Sequence, residues 1–208
     1  TLHETNGLVK SVAAVGDQVY MLVLRDGSYF IELFDPDLQL DCALSGQVDL
    51  PASMWSGLDH LEGQEVSIVA DGAVIPDQTV LGGAVTLSEP ANTVQIGLAY
   101  THIIEPLPPN EVAKVGAGRK LRLIEAIFRV KDTASLRLDV GRGLKDVSLR
   151  DFGDVITLDQ PNPLVSGDVR VRALGWQKDG VSPLWRIEQN LPLPFTLLSV
   201  ASEIKVND

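Results

Sequence analysis

Residues 55–100 read WSGLDHLEGQEVSIVADGAVIPDQTVLGGAVTLSEPANTVQIGLAY, and this stretch decides the fold. Asp71-Gly72 separates the apolar run Val66 to Ala70 from Ala73 to Ile75. Gly82-Gly83 separates Thr79 to Leu81 from Ala84 to Leu87. Both dipeptides supply the positive φ angles that tight hairpin turns need. The flanking residues are β-branched or small and apolar, and they alternate with polar ones, as Val66 and Ile68 do with Glu65 and Ser67. The pattern predicts a compact antiparallel unit of about five strands, a small β-barrel over residues 51–105. Gly72, in an Asp-Gly turn, is expected to tolerate valine less well than Gly141.

The same pattern continues on both sides. Leu8 to Ala14, Gln18 to Arg25 and Ser28 to Phe34 read as a three-stranded meander, with Asp26-Gly27 turning between the last two. This meander resembles one blade of a β-propeller, which normally has four strands and several neighbours. Asp35 to Met54 reads as a connector that begins with an Asp35-Pro36 turn. Residues 1–50 are thus expected to be a meander and connector at the end of a larger upstream domain. Pro106, Pro108 and Pro109 stiffen a second connector, Pro106 to Gly118, which Gly116 and Gly118 loosen. Residues 106–208 then read as a β-sandwich-like domain. Its expected strands are Arg119 to Val130, Ser135 to Val140, Val147 to Arg150, Val155 to Leu158, Asp168 to Leu174, Leu184 to Gln189 and Phe195 to Val200. Gly141-Arg142-Gly143 reads as a hairpin turn, and Pro161 and Pro163 bracket a loop. Arg119 to Phe128 also fits a helical spacing, but polar residues at nearly every second position in its first half favour strand. The chain is expected to be all-β, far from the usual third of helix.

Composition narrows the function. The chain has 208 residues, 45% of them hydrophobic, which suits a packed core and excludes a disordered chain. No apolar run is long enough for a transmembrane helix. Thr1 to Asn6 are polar, so no signal peptide is visible, and the start without methionine is read as that of a fragment, with methionine removal before Thr1 as the alternative. Cys42 is the only cysteine, which excludes an intrachain disulfide and fits a reducing cytosol. The net charge is −11, with 28 acidic against 17 basic residues. That balance argues against a surface that grips nucleic acid by its phosphates. Arg119, Lys120 and Arg122, and Arg170 and Arg172, gather locally. Their spacing on expected strands reads as a solvated or intersubunit face rather than a DNA groove.

Candidate chemistry is sparse. Ser56, Asp59 and His60 have the residue types of a hydrolase triad, but no strained nucleophile elbow surrounds them. The simpler reading is a turn in which Asp59 caps backbone amides before Gly63. Cys42 as a nucleophile needs a positioned base, and none is near in sequence. Asp35, Asp37 and Asp41 invite a calcium reading that fails for lack of the turn glycine and the closing acid. His3, His60 and His102 show no metal spacing. There is no phosphate-binding glycine loop. Trp185 is expected in the core, and Trp176 is the candidate for sugar stacking at the surface. No catalytic, cofactor-binding or metal-binding residue is therefore assigned, and the chain is expected not to be an enzyme.

The ordered series Trp55-Ser56-Gly57-Leu58-Asp59-His60-Leu61-Glu62-Gly63, Val66 to Gly72, Val94 to Tyr100, Gly167-Asp168-Val169-Arg170-Val171 and Gln189 to Leu198 resembles tail tube or nozzle structural proteins of short-tailed phages. Where that pattern has tyrosine-threonine-serine, this chain has Ala99-Tyr100-Thr101-His102, so nothing is built on that serine. The 55–100 unit also resembles, in fold alone, the first catalytic cysteine half-domain of ubiquitin-activating enzymes, and fold does not carry activity with it. The tail resemblance implies a viral structural protein made in the bacterial host cytoplasm and resident in the virion tail. It implies a ring of copies, six being the number suggested, beneath the portal and next to other tail or portal-adaptor proteins. DNA would pass through during ejection without specific binding, and no membrane is involved. The rival readings are a carbohydrate- or receptor-binding module of a tail adhesin and a cell-wall hydrolase.

Overall fold

The computed structural model of the protein describes residues 5–108, 121–149, 161, 163–173 and 182–206. Among them are fourteen β-strands, one 3-10 turn at Asp59–Leu61 and no α-helix, so the protein is all-β as expected. No helix among these residues is long and apolar enough to cross a membrane. The chain divides into two compact units, Thr1–Tyr100 and Thr101–Asp208.

The first unit opens with the meander. It consists of β1 (Leu8–Val15), β2 (Gln18–Arg25) and β3 (Ser28–Phe34), paired in that order. Asp26 and Gly27 take φ of 46° and 83°, the two left-handed angles of a type I′ turn. Only the end of β1 differs from expectation, by one residue.

The barrel follows. It contains β4 (Asp41–Ser56), β5 (Glu65–Ala70), β6 (Ala73–Thr79) and β7 (Ala84–Leu98), in the order β4-β7-β5-β6. There are four strands rather than five because β4 and β7 each serve twice. The first arm of β4 pairs with the second arm of β7 (Asp41 with Leu98, Gly46 with Val94). Its second arm pairs with the first arm of β7 (Ala52 with Ala91, Ser56 with Ala84). Register shifts lie between the arms, where bulges let strands bend. β5 lies between β7 and β6, and a single bridge from Leu81 to Ala84 returns to the first arm of β7. The pairings therefore run in a closed circuit around one core of Trp55, Leu58, Leu61, Val66, Ile68, Val80, Val85, Leu87, Ala91, Val94 and Ile96.

Two expectations change here. The connector expected over Asp35 to Met54 is strand from Asp41 onward, so the 50/51 boundary falls inside β4. Pro51 and the acidic residues Asp41 and Asp49 disguised that strand. β4 pairs on one side only, and Pro51 sits where its register with β7 breaks, between Gln47 and Ala52. An edge and a bulge are where a strand accepts proline. Gly72 and Gly141 both take positive φ, 82° and 96°, so no difference in their replaceability follows.

The second unit begins earlier than expected, because β8 (His102–Ile104) pairs with β13 (Arg186–Gln189). The four-stranded sheet runs β11 (Lys145–Asp146), β10 (Arg137–Asp139), β13, β8. The other sheet places β9 (Leu121–Thr133) between β12 (Val165–Arg172) and β14 (Thr196–Val206). Both sheets feed one core. Phe128 of β9 meets Trp185, the residue before β13, edge to face at 5.3 Å, so the unit is a sandwich. The strand reading of β9 holds over the helical one. Gly141 and Gly143 make the hairpin turn between β10 and β11, with the Asp139 carboxylate accepting from the Gly141 and Arg142 amides at 2.7 and 2.9 Å. The strand expected at Val147 lies earlier, at Lys145–Asp146. Arg119, Lys120, Val155 to Leu158, Leu174 and Trp176 lie outside the described residues.

Candidate functional site

Ser56 ends β4, and Asp59 and His60 occupy the 3-10 turn that follows. His60 Nε2 donates to the Cys42 carbonyl oxygen at 3.1 Å. The Asp59 carboxylate lies against Gly83, where a Cβ would come within 2.5 Å of its oxygen. No hydrogen bond joins the three side chains, so sequence proximity does not become a relay. The capping expected of Asp59 is absent as well, since no side chain caps this turn. Glu62 does a related job. Its two carboxylate oxygens accept the Gly82 and Gly83 amides at 3.0 and 2.7 Å, fastening the 3-10 turn to the Gly-Gly turn. Those bonds favour the charged form and lower the Glu62 pKa below the ordinary carboxylate value. Asp71 behaves alike, accepting the Thr93 and Asn92 amides at 2.8 and 3.1 Å.

The three aspartates of the calcium reading are used separately. Asp35 accepts the Asp37 amide at 2.9 Å in a local turn. Asp41 binds Arg25, at 3.2 Å, and Thr5, at 2.7 Å. Among the described residues no group of three or more histidine, cysteine or acidic side chains could hold a metal ion. Arg25 is the hub of this region. Its buried guanidinium binds Glu32 through Nε and Nη2 at 2.6 and 2.8 Å, and also Asn6, Thr5 and Asp41. The bond to Glu32, more than any other cause, raises its pKa and keeps it charged. The cluster ties the meander to the first arm of β4. Cys42 lies beside it with a left-handed φ of 55°. Burial pushes its thiol up to about 11, only partly offset by Arg25, so the thiolate is scarce near neutral pH.

The basic pairs of the second unit face carboxylates. Arg170 and Arg172 lie 3.8 and 3.9 Å from Glu125 on the neighbouring strand, and Arg129 binds Asp168 at 2.8 Å. Trp185 is buried as expected. Trp55 is buried too, its Nε1 donating to the Ala52 carbonyl at 3.1 Å. A sugar platform among the tryptophans would thus rest on Trp176, outside the described residues.

One surface went unnoticed in the sequence. The meander exposes apolar side chains on both faces, although Arg25, Glu32 and the buried Val23 occupy part of one of them. Register places Leu8, Val15, Tyr29, Ile31 and Leu33 on one face and Val9 and Val12 on the other. The signal was present in Val19 to Leu24, where both alternating sets are apolar, as in a strand covered on two sides. Fold and surface together define an acidic, all-β protein of two compact units with a large exposed apolar sheet. No family model matches the chain, and no curated protein does.

Proposed function

We propose that this chain is a structural subunit of a phage tail that assembles with copies of itself into a ring or tube and forms part of the conduit for DNA. The ordered motifs from Trp55 to Leu198 supply the tail assignment. The observation that carries the conduit is the charge arrangement. There are 28 acidic against 17 basic residues, and Arg25, Arg129, Arg170 and Arg172 each lie within reach of a carboxylate. A basic side chain already facing a carboxylate gains less from a phosphate, and a surplus of negative charge repels the duplex. DNA then slides past such a wall without adhering. No catalytic, cofactor or metal residue takes part in this reading.

The test is a fluorescence anisotropy titration of duplex DNA with the assembled protein at several salt concentrations, beside particle images by electron microscopy. Closed rings with negligible binding at physiological salt are expected. Tight binding that weakens steeply with salt would remove the low-friction conduit, and particles without rings would remove the assembly.

A further inference from the structure

The face of the meander that carries Leu8, Val15, Tyr29, Ile31 and Leu33 holds no charged side chain, since Ser11, Ala13, Gln18, Tyr20, Leu22 and Leu24 complete it. Ile31 is 79% exposed and Tyr29 63%. The five leading side chains expose on the order of 600 Å², at the upper limit of the largest patch on an ordinary monomer and close to one partner's share of a standard interface. On the opposite face Arg25, Glu32 and the buried Val23 occupy one half, and Val12 and Phe34 are exposed in the other, with Val9 at the margin between them.

We propose that the charge-free face of one copy packs on the opposite face of the meander of the next copy, head to tail. This rests on the self-assembly in the reading above and names the surface that performs it. Three observations select a second copy. Chains of net charge −11 repel one another, so contact is least opposed where no charge lies. Stacked sheets need matching length and twist, which an identical meander supplies. The charge-free face alone offers close to one partner's share of a standard interface. Two different faces of one sheet make the contact heterologous, the kind that closes into a ring when its rotation closes and otherwise extends into a filament. Edge-to-edge addition along β1 is blunted by Lys10, which lies in the register shift between Val9 and Ser11.

Sedimentation velocity of the full chain tests the surface. Ile31→Lys and Val12→Lys should each weaken assembly at least ~10-fold while circular dichroism and melting stay those of the wild type. Leu107→Lys, at another exposed apolar position, should leave assembly unchanged. Oxidation of mixed Ile31→Cys and Val12→Cys chains, both carrying Cys42→Ser, should give disulfides between the two kinds of chain. Wild-type assemblies that survive Ile31→Lys would overturn this surface and leave the ring standing. Disulfides formed only between two Ile31→Cys chains would replace head-to-tail packing by a two-fold pair. A wild-type chain that stays monomeric would overturn both the surface and the self-assembly.

Discussion

The meander and the barrel are built from the same materials and end in opposite states. Both have apolar strands with two-residue turns of left-handed residues, Asp26-Gly27 in one and Asp71-Gly72 in the other. In the barrel, two bent strands return the pairings to their starting point, and Val66, Ile68, Val80 and Ile96 lose all contact with solvent. In the meander three strands end at two edges, and of its apolar side chains only Val23 is fully buried. Turn chemistry makes strands in both regions. Burial depends on closure, and closure depends on the register shifts in β4 and β7, which local propensity does not contain.

The largest expected effect tests that contrast directly. Ile68→Ala and Ile96→Ala should each cost about 2–5 kcal/mol, because the methyl groups leave a cavity inside a closed core. Ile31→Ala, the same chemistry on the open sheet, should stay within about 0.5 kcal/mol in the unassembled chain. Urea denaturation of the three variants measures this. Equal losses would show that the meander has a core of its own.

A smaller effect sharpens the boundary between the regions. Arg25→Met removes the charge shared by Glu32 and Asp41 and leaves two half-buried carboxylates facing each other. The expected loss is about 3 kcal/mol, since breaking one partner of a buried pair strands the other. Hydrogen exchange should rise in β1 to β3 more than in β5 to β7. A uniform rise would mean that Arg25 supports the whole unit rather than the junction.

The smallest effect lies in the barrel's turns. Glu62 and Asp71 have lowered folded-state pKa values. Their contribution is complete above the ordinary unfolded carboxylate value and is lost as pH falls through the lower folded value. Melting temperature should fall on acidification through that window, and less steeply in the Glu62→Gln variant. Parallel slopes for variant and wild type would show that the Glu62 bonds carry no proton linkage.

Much of the fold was legible because the turns are short and chemically explicit. The facing ends of β2 and β3 follow from Asp26-Gly27, and those of β5 and β6 from Asp71-Gly72, but β6 runs on to Thr79 where the sequence reading stopped at Ile75. β4 was hidden because its acids and Pro51 read as a loop, and only its pairing with β7, some forty residues away, makes it a strand. Glu62 was passed over in favour of Asp59 because the carboxylate that matters bonds amides at positions 82 and 83, not its own turn. Arg25 gave no local signal either, since Thr5, Asn6, Glu32 and Asp41 meet it only after folding.

β4 also has a consequence for biosynthesis. Its last residue, Ser56, leaves the ribosome 42 residues before Leu98 completes its only strand partner. At typical elongation rates that interval is roughly 2–8 s. The second arm of β4 can pair once Ala84 to Ala91 emerge, and its first arm waits longest, for Thr93 to Leu98. Asp41 opens that strand and Asp49 and Pro51 lie within it, as charges and prolines stand at gatekeeper positions in aggregation-prone segments. The residues that concealed β4 as a strand are those that let it wait without pairing to a neighbouring polysome's copy.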